Sequence, residues 1–244
     1  MNDMIAVIAE NTSKNFEELL RNDGFETIRI PRSPLLAPPV CTHVDMLILP
    51  IKNNIFCHEL YAKEANEFLS VLEDLGYKIT TVGGKYCAEY PHDVRFNAAV
   101  VGSNIFIGNR TDAKDICDYA LANDLNIVRV KQGYAKCSTC IVSDNAIITA
   151  DDTIETAAKG LGIDVLKIRE GYVTLEGYLY GFIGGASGTC GDTVYFSGDL
   201  DLHPDGKAMI DFCKKHGKRA LFIKGEELVD IGSVLFLQKY NAYY

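Results

Sequence analysis

Leu47-Ile-Leu-Pro-Ile-Lys-Asn-Asn-Ile-Phe56 holds two short apolar runs around a polar turn. The same form returns at Ala98-Ala-Val-Val-Gly-Ser-Asn-Ile-Phe-Ile107 and at Thr139-Cys-Ile-Val-Ser-Asp-Asn-Ala-Ile-Ile148. β-formers on either side of a Gly/Ser/Asn/Asp turn predict a hairpin. Asn54, Asn104 and Asn145 superpose the three copies without a gap. A fourth, longer copy is expected from Tyr180–Ile183, the glycine-rich loop Gly184–Asp192 and Thr193–Phe196. Helical spacing follows each hairpin, over Leu60–Leu75, Asp112–Asn123, Asp152–Lys159 and Asp205–Lys215, with Gly76, Gly160 and Gly217 as natural C-caps. A short apolar strand then closes each unit: Lys78–Val82, Ile127–Val130, Val165–Ile168 and Ala220–Ile223.

The two ends of the chain are complementary. Residues 4–30 read as strand, helix and strand with no strand before them, whereas 231–237 read as an isolated strand. Pairing of the C-terminal strand beside the N-terminal one would complete a fifth ββαβ unit and leave no open sheet edge. The expected organisation is a single α/β domain over residues 1–244, with units at about 43–85, 93–131, 134–171, 178–225, and 231–244 together with 1–34.

Composition bounds the function. The chain has 244 residues, 48% of them hydrophobic, and a net charge of −9 from 24 basic and 33 acidic side chains. A net acidic chain without a Lys/Arg cluster is not expected to bind nucleic acid. No apolar run approaches the roughly 20 residues of a membrane helix, and the N-terminus does not read as a signal peptide. A cytoplasmic protein with no membrane partner is expected. The eight cysteines are spread along the chain, which suits reduced thiols. Cys137-Ser-Thr-Cys140 is the only close pair and has no second pair. On a strand its thiols would point to opposite faces, so neither a metal nor another cofactor is expected there.

Two segments carry a resemblance. Asp230-Ile-Gly-Ser-Val-Leu-Phe236 and Tyr134-Ala-Lys-Cys-Ser-Thr-Cys-Ile-Val-Ser-Asp144, within the five-unit organisation, resemble the pentein superfamily. That superfamily contains guanidine-modifying enzymes such as dimethylarginine dimethylaminohydrolase, agmatine deiminase and amidinotransferases. The resemblance implies a five-bladed α/β propeller of ββαβ repeats with a central pocket. It also shows departures, because Gly232 stands where the hydrolase has its nucleophilic Cys and Tyr134 where it has its catalytic His. Glycine cannot attack a guanidinium carbon, and a phenol of pKa about 10 is a poor base near neutrality.

In such a ring the first strand of each hairpin lines the centre. Counting back from the turn asparagines, one column holds Asp45, Arg95 and Lys136, and another holds Leu47, Asn97 and Ser138, with Ser233 equivalent. Arg95 and Lys136 beside Asp93 and Asp230 would form a charged pocket for a small zwitterion or carboxylate. Tyr134 and Ser187 are expected at its edge, and Gly184–Gly188 would either offer N–H groups to an anion or form a plain hairpin loop. The expected partner is therefore a small amino-acid- or guanidino-type ligand. The alternative is hydrolysis of an amidine or amide C–N bond by a relocated thiol, Cys137, or by an acid–base pair, Asp199 with His203. His203-Pro204-Asp205 also reads as a plain helix start, without a metal. His43, His58 and His92 have no comparable partner nearby, and the sequence leaves the oligomeric state open.

Overall fold

The computed structural model of the chain describes residues 3–240. Its hairpins form where β-branched and aromatic residues flank a two-residue turn. The chain opens with β1 (Met4–Ala9), α1 (Lys14–Asn22) and β2 (Glu26–Ile30). The next unit is α2 (Val44–Leu47), β3 (Ile48–Ile51), β4 (Asn54–His58), α3 (Glu59–Glu64), α4 (Asn66–Asp74) and β5 (Lys78–Val82). Then come β6 (Ala99–Val101), β7 (Asn104–Gly108), α5 (Lys114–Ala122) and β8 (Asn126–Val130). The following unit is β9 (Thr139–Ser143), β10 (Ala146–Thr149), α6 (Asp152–Gly160) and β11 (Asp164–Lys167). The last elements are β12 (Ser187–Cys190), β13 (Thr193–Phe196), α7 (Gly206–Lys215), β14 (Arg219–Phe222) and β15 (Leu235–Gln238).

These strands make five three-stranded sheets of one pattern. An antiparallel hairpin is extended by a parallel strand after the helix, in the orders β3-β4-β5, β6-β7-β8, β9-β10-β11, β12-β13-β14 and β15-β1-β2. The fifth sheet joins the two ends of the chain, with Met4 opposite Gln238 and Val7 opposite Leu235. Four units repeat one hydrogen bond, in which the start of the third strand donates to a turn carbonyl. The pairs are Lys78 to Asn53, Asn126 to Ser103, Asp164 to Asn145 and Arg219 to Asp192, at 2.8–2.9 Å. Middle strands β4, β10 and β13 are buried throughout, while the outer strands β5, β8, β11 and β14 are half-exposed. Inner strands meet in sequence, β6 beside β9, β9 beside β12 and β12 beside β15, with α2 beside β1. Among the described residues no helix is long and apolar enough to cross a membrane.

Two expectations need correction. Leu60–Leu75 is not one helix but α3 and α4, broken at Ala65, whose φ of −105° and ψ of 25° leave the helical range. Tyr180–Ile183 is not a strand. The fourth hairpin is β12 and β13 around Gly191-Asp192, as short as the other three. The glycines just before it serve close packing. A β-carbon at Gly184 would fall 2.3 Å from the Lys136 carbonyl oxygen, and one at Gly185 would fall 1.9 Å from Asp230 Oδ1. The Gly185 N–H is already bonded to the Cys137 carbonyl at 2.8 Å, so this segment is not an open anion cradle.

Candidate functional site

Loops leading into the inner strands meet in one buried polar layer. Asp45 stands in the first turn of α2, and Asn97 lies just before β6. Cys137 sits in the turn Tyr134–Ser138, closed by the Ser138 N–H on the Tyr134 carbonyl at 2.9 Å. Ser233 precedes β15 in the left-handed region, with φ of 70°, a conformation kept only where surroundings hold it.

Asn97 ties three of these loops together. Its Oδ1 accepts the N–H groups of Lys136 at 2.8 Å and Cys137 at 3.2 Å. Its Nδ2 donates to the Asp45 carbonyl at 3.2 Å and to Cys137 Sγ at 3.0 Å. The Asp45 carboxylate accepts from Ser233 Oγ at 2.6 Å and from Cys137 Sγ, 3.2 Å from each oxygen. Lys136 Nζ donates to Ser233 Oγ at 2.8 Å. Burial pushes the Asp45 carboxyl up against the pull of Lys136. Burial, reinforced by the charges of Asp45 and Asp230, holds the Cys137 thiol well above its ordinary range. In this state Cys137 is a thiol donor, not a thiolate.

Beside this layer lies a cavity of about 110 Å³ whose lining includes His43, Cys137 and Asp230 together with the rings of Tyr134, Tyr178, Tyr180 and Phe182. Asp230 Oδ2 accepts the Phe182 N–H at 2.9 Å and Oδ1 the Gly232 N–H at 3.0 Å. Burial nevertheless raises its carboxyl to about 6. His43 Nδ1 is 3.7 Å from Asp230 Oδ1, and neither ring nitrogen of this buried histidine has a hydrogen-bond partner. Burial lowers its pKa, so the ring is neutral. An aromatic series runs Tyr90, Tyr134, Phe182, Tyr180, with successive centroids 6.0, 6.0 and 6.2 Å apart. Tyr134 also donates to Asp93 Oδ2 at 2.6 Å.

The structure thus brings together Asn97, Tyr134, Lys136, Cys137, Asp230 and Ser233, with Asp93 behind Tyr134. Arg95 is elsewhere. Its guanidinium lies against Gly84 and 3.8 and 3.6 Å from Asp112 and Asp115. Of the two cations in that column, only Lys136 reaches the central layer. Ser187 is the first residue of β12 and bonds the Gly184 carbonyl at 3.2 Å. Asp199 and His203 are each engaged locally. Asp199 accepts the N–H groups of Asp201 at 2.9 Å and Gly225 at 2.8 Å, while His203 Nδ1 accepts that of Asp205 at 2.9 Å. A larger cleft of about 270 Å³ lies along α6, lined in part by Asp151 and Arg169. Its charges are engaged, since Asp151 caps α6, Arg169 is bonded to Asp205, Asp152 pairs with Lys167 and Glu170 accepts from the Tyr180 hydroxyl. Sequence reading missed His43. Two residues before Asp45, it falls in one column with Asp93 and Tyr134, and that alignment was the available signal.

Five three-stranded sheets of this topology around a polar centre define the pentein fold. Residues 7–235 match the model of DUF6873, a family of unknown function, and the chain belongs to that family. No curated protein matches the sequence. Among solved structures, an amidinotransferase of the saxitoxin biosynthetic pathway from Microseira wollei superposes with a TM-score of 0.61 at 12% identity, over 94% of this chain and 79% of that one. A mutant dimethylarginine dimethylaminohydrolase from Pseudomonas aeruginosa, complexed with citrulline, gives 0.60 at 12%, over 96% and 98%. The agmatine deiminase of C. jejuni gives 0.51 at 9%, over 91% and 78%. Similarity at these identities is similarity of fold.

Proposed function

We propose that the protein binds a small amino-acid- or guanidino-type ligand in the aromatic-walled cavity, without the cysteine–histidine mechanism of the enzymes it resembles. The observation that carries this reading is the buried carboxyl of Asp230 lining the same cavity as four aromatic rings. A carboxylate and aromatic rings lining one cavity suit a guanidinium or ammonium head, through charge and cation–π attraction. The volume of about 110 Å³ suits such a head and a short stem. Support for a ligand of this class also comes from the similar hydrolase complexed with citrulline. Gly232 and Tyr134, which the resemblance aligns with that enzyme's nucleophile and base, support binding without the ordinary chemistry.

Calorimetric titration with arginine, agmatine, ornithine and citrulline tests the reading. At least one compound with a cationic side chain is expected to bind more tightly than citrulline, whose side chain is uncharged. Asp230→Asn should weaken it by about tenfold or more, as loss of a buried charge-assisted contact does, while Arg169→Ala in the outer cleft should not. Absence of binding by all four compounds, or binding indifferent to Asp230→Asn, would sink the proposal.

A second reading is hydrolysis of an amidine or amide C–N bond through Cys137. It draws on Cys137 and His43 lining one cavity. Against it stands the thiol, desolvated and already donating to Asp45. Release of ammonia or amine from the same compounds, abolished by Cys137→Ser, would establish this reading over simple binding.

A further inference from the structure

We infer that His43, Cys137 and Asp230 form a site for one divalent transition-metal ion of the zinc type, with its remaining coordination position open to the aromatic cavity. One donor atom from each residue, an imidazole nitrogen, a sulfur and a carboxylate oxygen, lies within 4.8 Å of the other two. Donors held about 2.0–2.3 Å from a tetrahedral ion lie about 3.3–3.7 Å apart. The 3.7 Å between His43 Nδ1 and Asp230 Oδ1 is too long for a hydrogen bond and a few tenths of an ångström wider than a nitrogen–oxygen pair on a tetrahedral ion, a gap that a small side-chain adjustment closes. The donor set of nitrogen, sulfur and oxygen suits zinc and its neighbours, not magnesium or calcium.

A second observation points the same way. His43 is 1% exposed, yet neither ring nitrogen makes a hydrogen bond of normal geometry among the described residues, the backbone of Asp230 lying only at the edge of reach. A buried polar side chain without a partner is costly, and an ion at this point would give the ring one. Charge also balances, because a dication with one thiolate and one carboxylate is neutral overall, which suits a buried site. On binding, the Cys137 S–H bond is replaced by sulfur–metal coordination. The proton passes along the existing hydrogen bond to Asp45, 3.2 Å away, with no change in oxidation state. Because all three side chains line the same cavity, the open position faces the space a ligand would enter.

The site belongs to three different units of the ring. His43 precedes α2, Cys137 precedes β9 and Asp230 precedes β15, so no short motif announces it. Cys140, the other half of the close cysteine pair, takes no part. It is buried in the apolar cluster with Val142, Ile148 and Met209.

Titration of the chelator-stripped full chain with Co²⁺ alone tests the inference. The expected result is one equivalent bound with intense visible absorption of tetrahedral Co²⁺ and a near-ultraviolet thiolate-to-cobalt band, both bleached by Zn²⁺. Cys137→Ser should abolish the thiolate band, His43→Ala should weaken binding by about tenfold or more, and Cys140→Ser should keep the band. A pale octahedral spectrum, or a thiolate band that survives Cys137→Ser, overturns the inference. If either variant fails to fold, X-ray absorption of the zinc-loaded natural chain decides: one sulfur with light-atom scatterers supports the site, and no sulfur or several overturns it. Neither measurement uses an organic ligand, so failure here leaves the proposed ligand binding standing; because both readings use the Asp230 carboxylate, the metal-loaded chain is expected to bind cationic compounds less tightly than the stripped chain.

Discussion

A β-carbon added at Gly232 would lie 2.3 Å from both Cα and Cβ of His43, and the residue has φ of 68°. His43 therefore fills the space that a side chain at 232 would need, and the glycine at 232 and the placing of His43 at the centre depend on each other. Gly232→Ala is expected to destabilise by about 2–4 kcal/mol, combining left-handed strain with overpacking. Gly191→Ala is the control, since Gly191 has φ of 56° but nothing within 4 Å of an added β-carbon. It should cost only about 1–2 kcal/mol. Urea unfolding of both variants checks the difference, and equal costs would refute the packing argument. The glycine itself was legible in the sequence as a departure. Its cause was not, because His43 and Gly232 stand at opposite ends of the chain and meet only after the ring has formed. Arg95 failed in the opposite way. Its column was right, but the space beside Gly84 and the carboxylates of Asp112 and Asp115 drew the side chain away from the pocket.

Between β11 and α7 the decisive contact is Arg169 with Asp205. Asp205 accepts the Arg169 N–H at 2.8 Å and the guanidinium through Nη2 at 2.7 Å. These hydrogen bonds from Arg169 hold its carboxyl down to about 2. A carboxyl depressed in the folded state stabilises the fold above its unfolded pKa of about 3.9, and that contribution fades as pH falls through the folded value. Asp205→Asn should therefore be less stable than the natural chain near neutrality, and the gap should close between about pH 4 and pH 2. Urea midpoints across that range measure it; a gap independent of pH would show that the carboxylate's charge is irrelevant. Elements of this kind were largely readable, since Asp205 and the spacing after it do open a helix. The fourth hairpin was misplaced because glycines look alike in sequence whether they make a loop or allow close packing. Gly184 and Gly185 are there because Lys136 and Asp230 come within contact distance, which no local pattern encodes.

At the scale of the whole molecule the repeated hairpins make five units legible in the sequence, and the pairing of β15 with β1 completes the fifth. The Lys239 N–H reaches the Asp3 carbonyl at 2.7 Å, so the two ends of the described chain are neighbours. The loop before β15 carries Asp230 and Ser233, whose N–H groups bond the Thr174 and Gly185 carbonyls at 2.9 and 2.8 Å. If closure matters more than chain order, a circular permutant that joins residues 240 and 3 by a short Gly/Ser linker and opens at Gly191-Asp192 should still fold. That turn is exposed and connects two strands by the tightest route, so opening it removes little. The permutant is expected to unfold cooperatively within several degrees of the natural chain. A truncation ending at Val234 should not, because it leaves β1, with Ile5 to Ala9 fully buried, as an unpaired edge. Thermal unfolding followed by circular dichroism distinguishes the outcomes. A truncated chain that melts like the full one would mean that each sheet stands on its own and that the ring is not the unit of stability. Loss of folding in the permutant alone would place that dependence on the intact β12–β13 turn instead, the one connection between the ring's inner strand β12 and its buried neighbour.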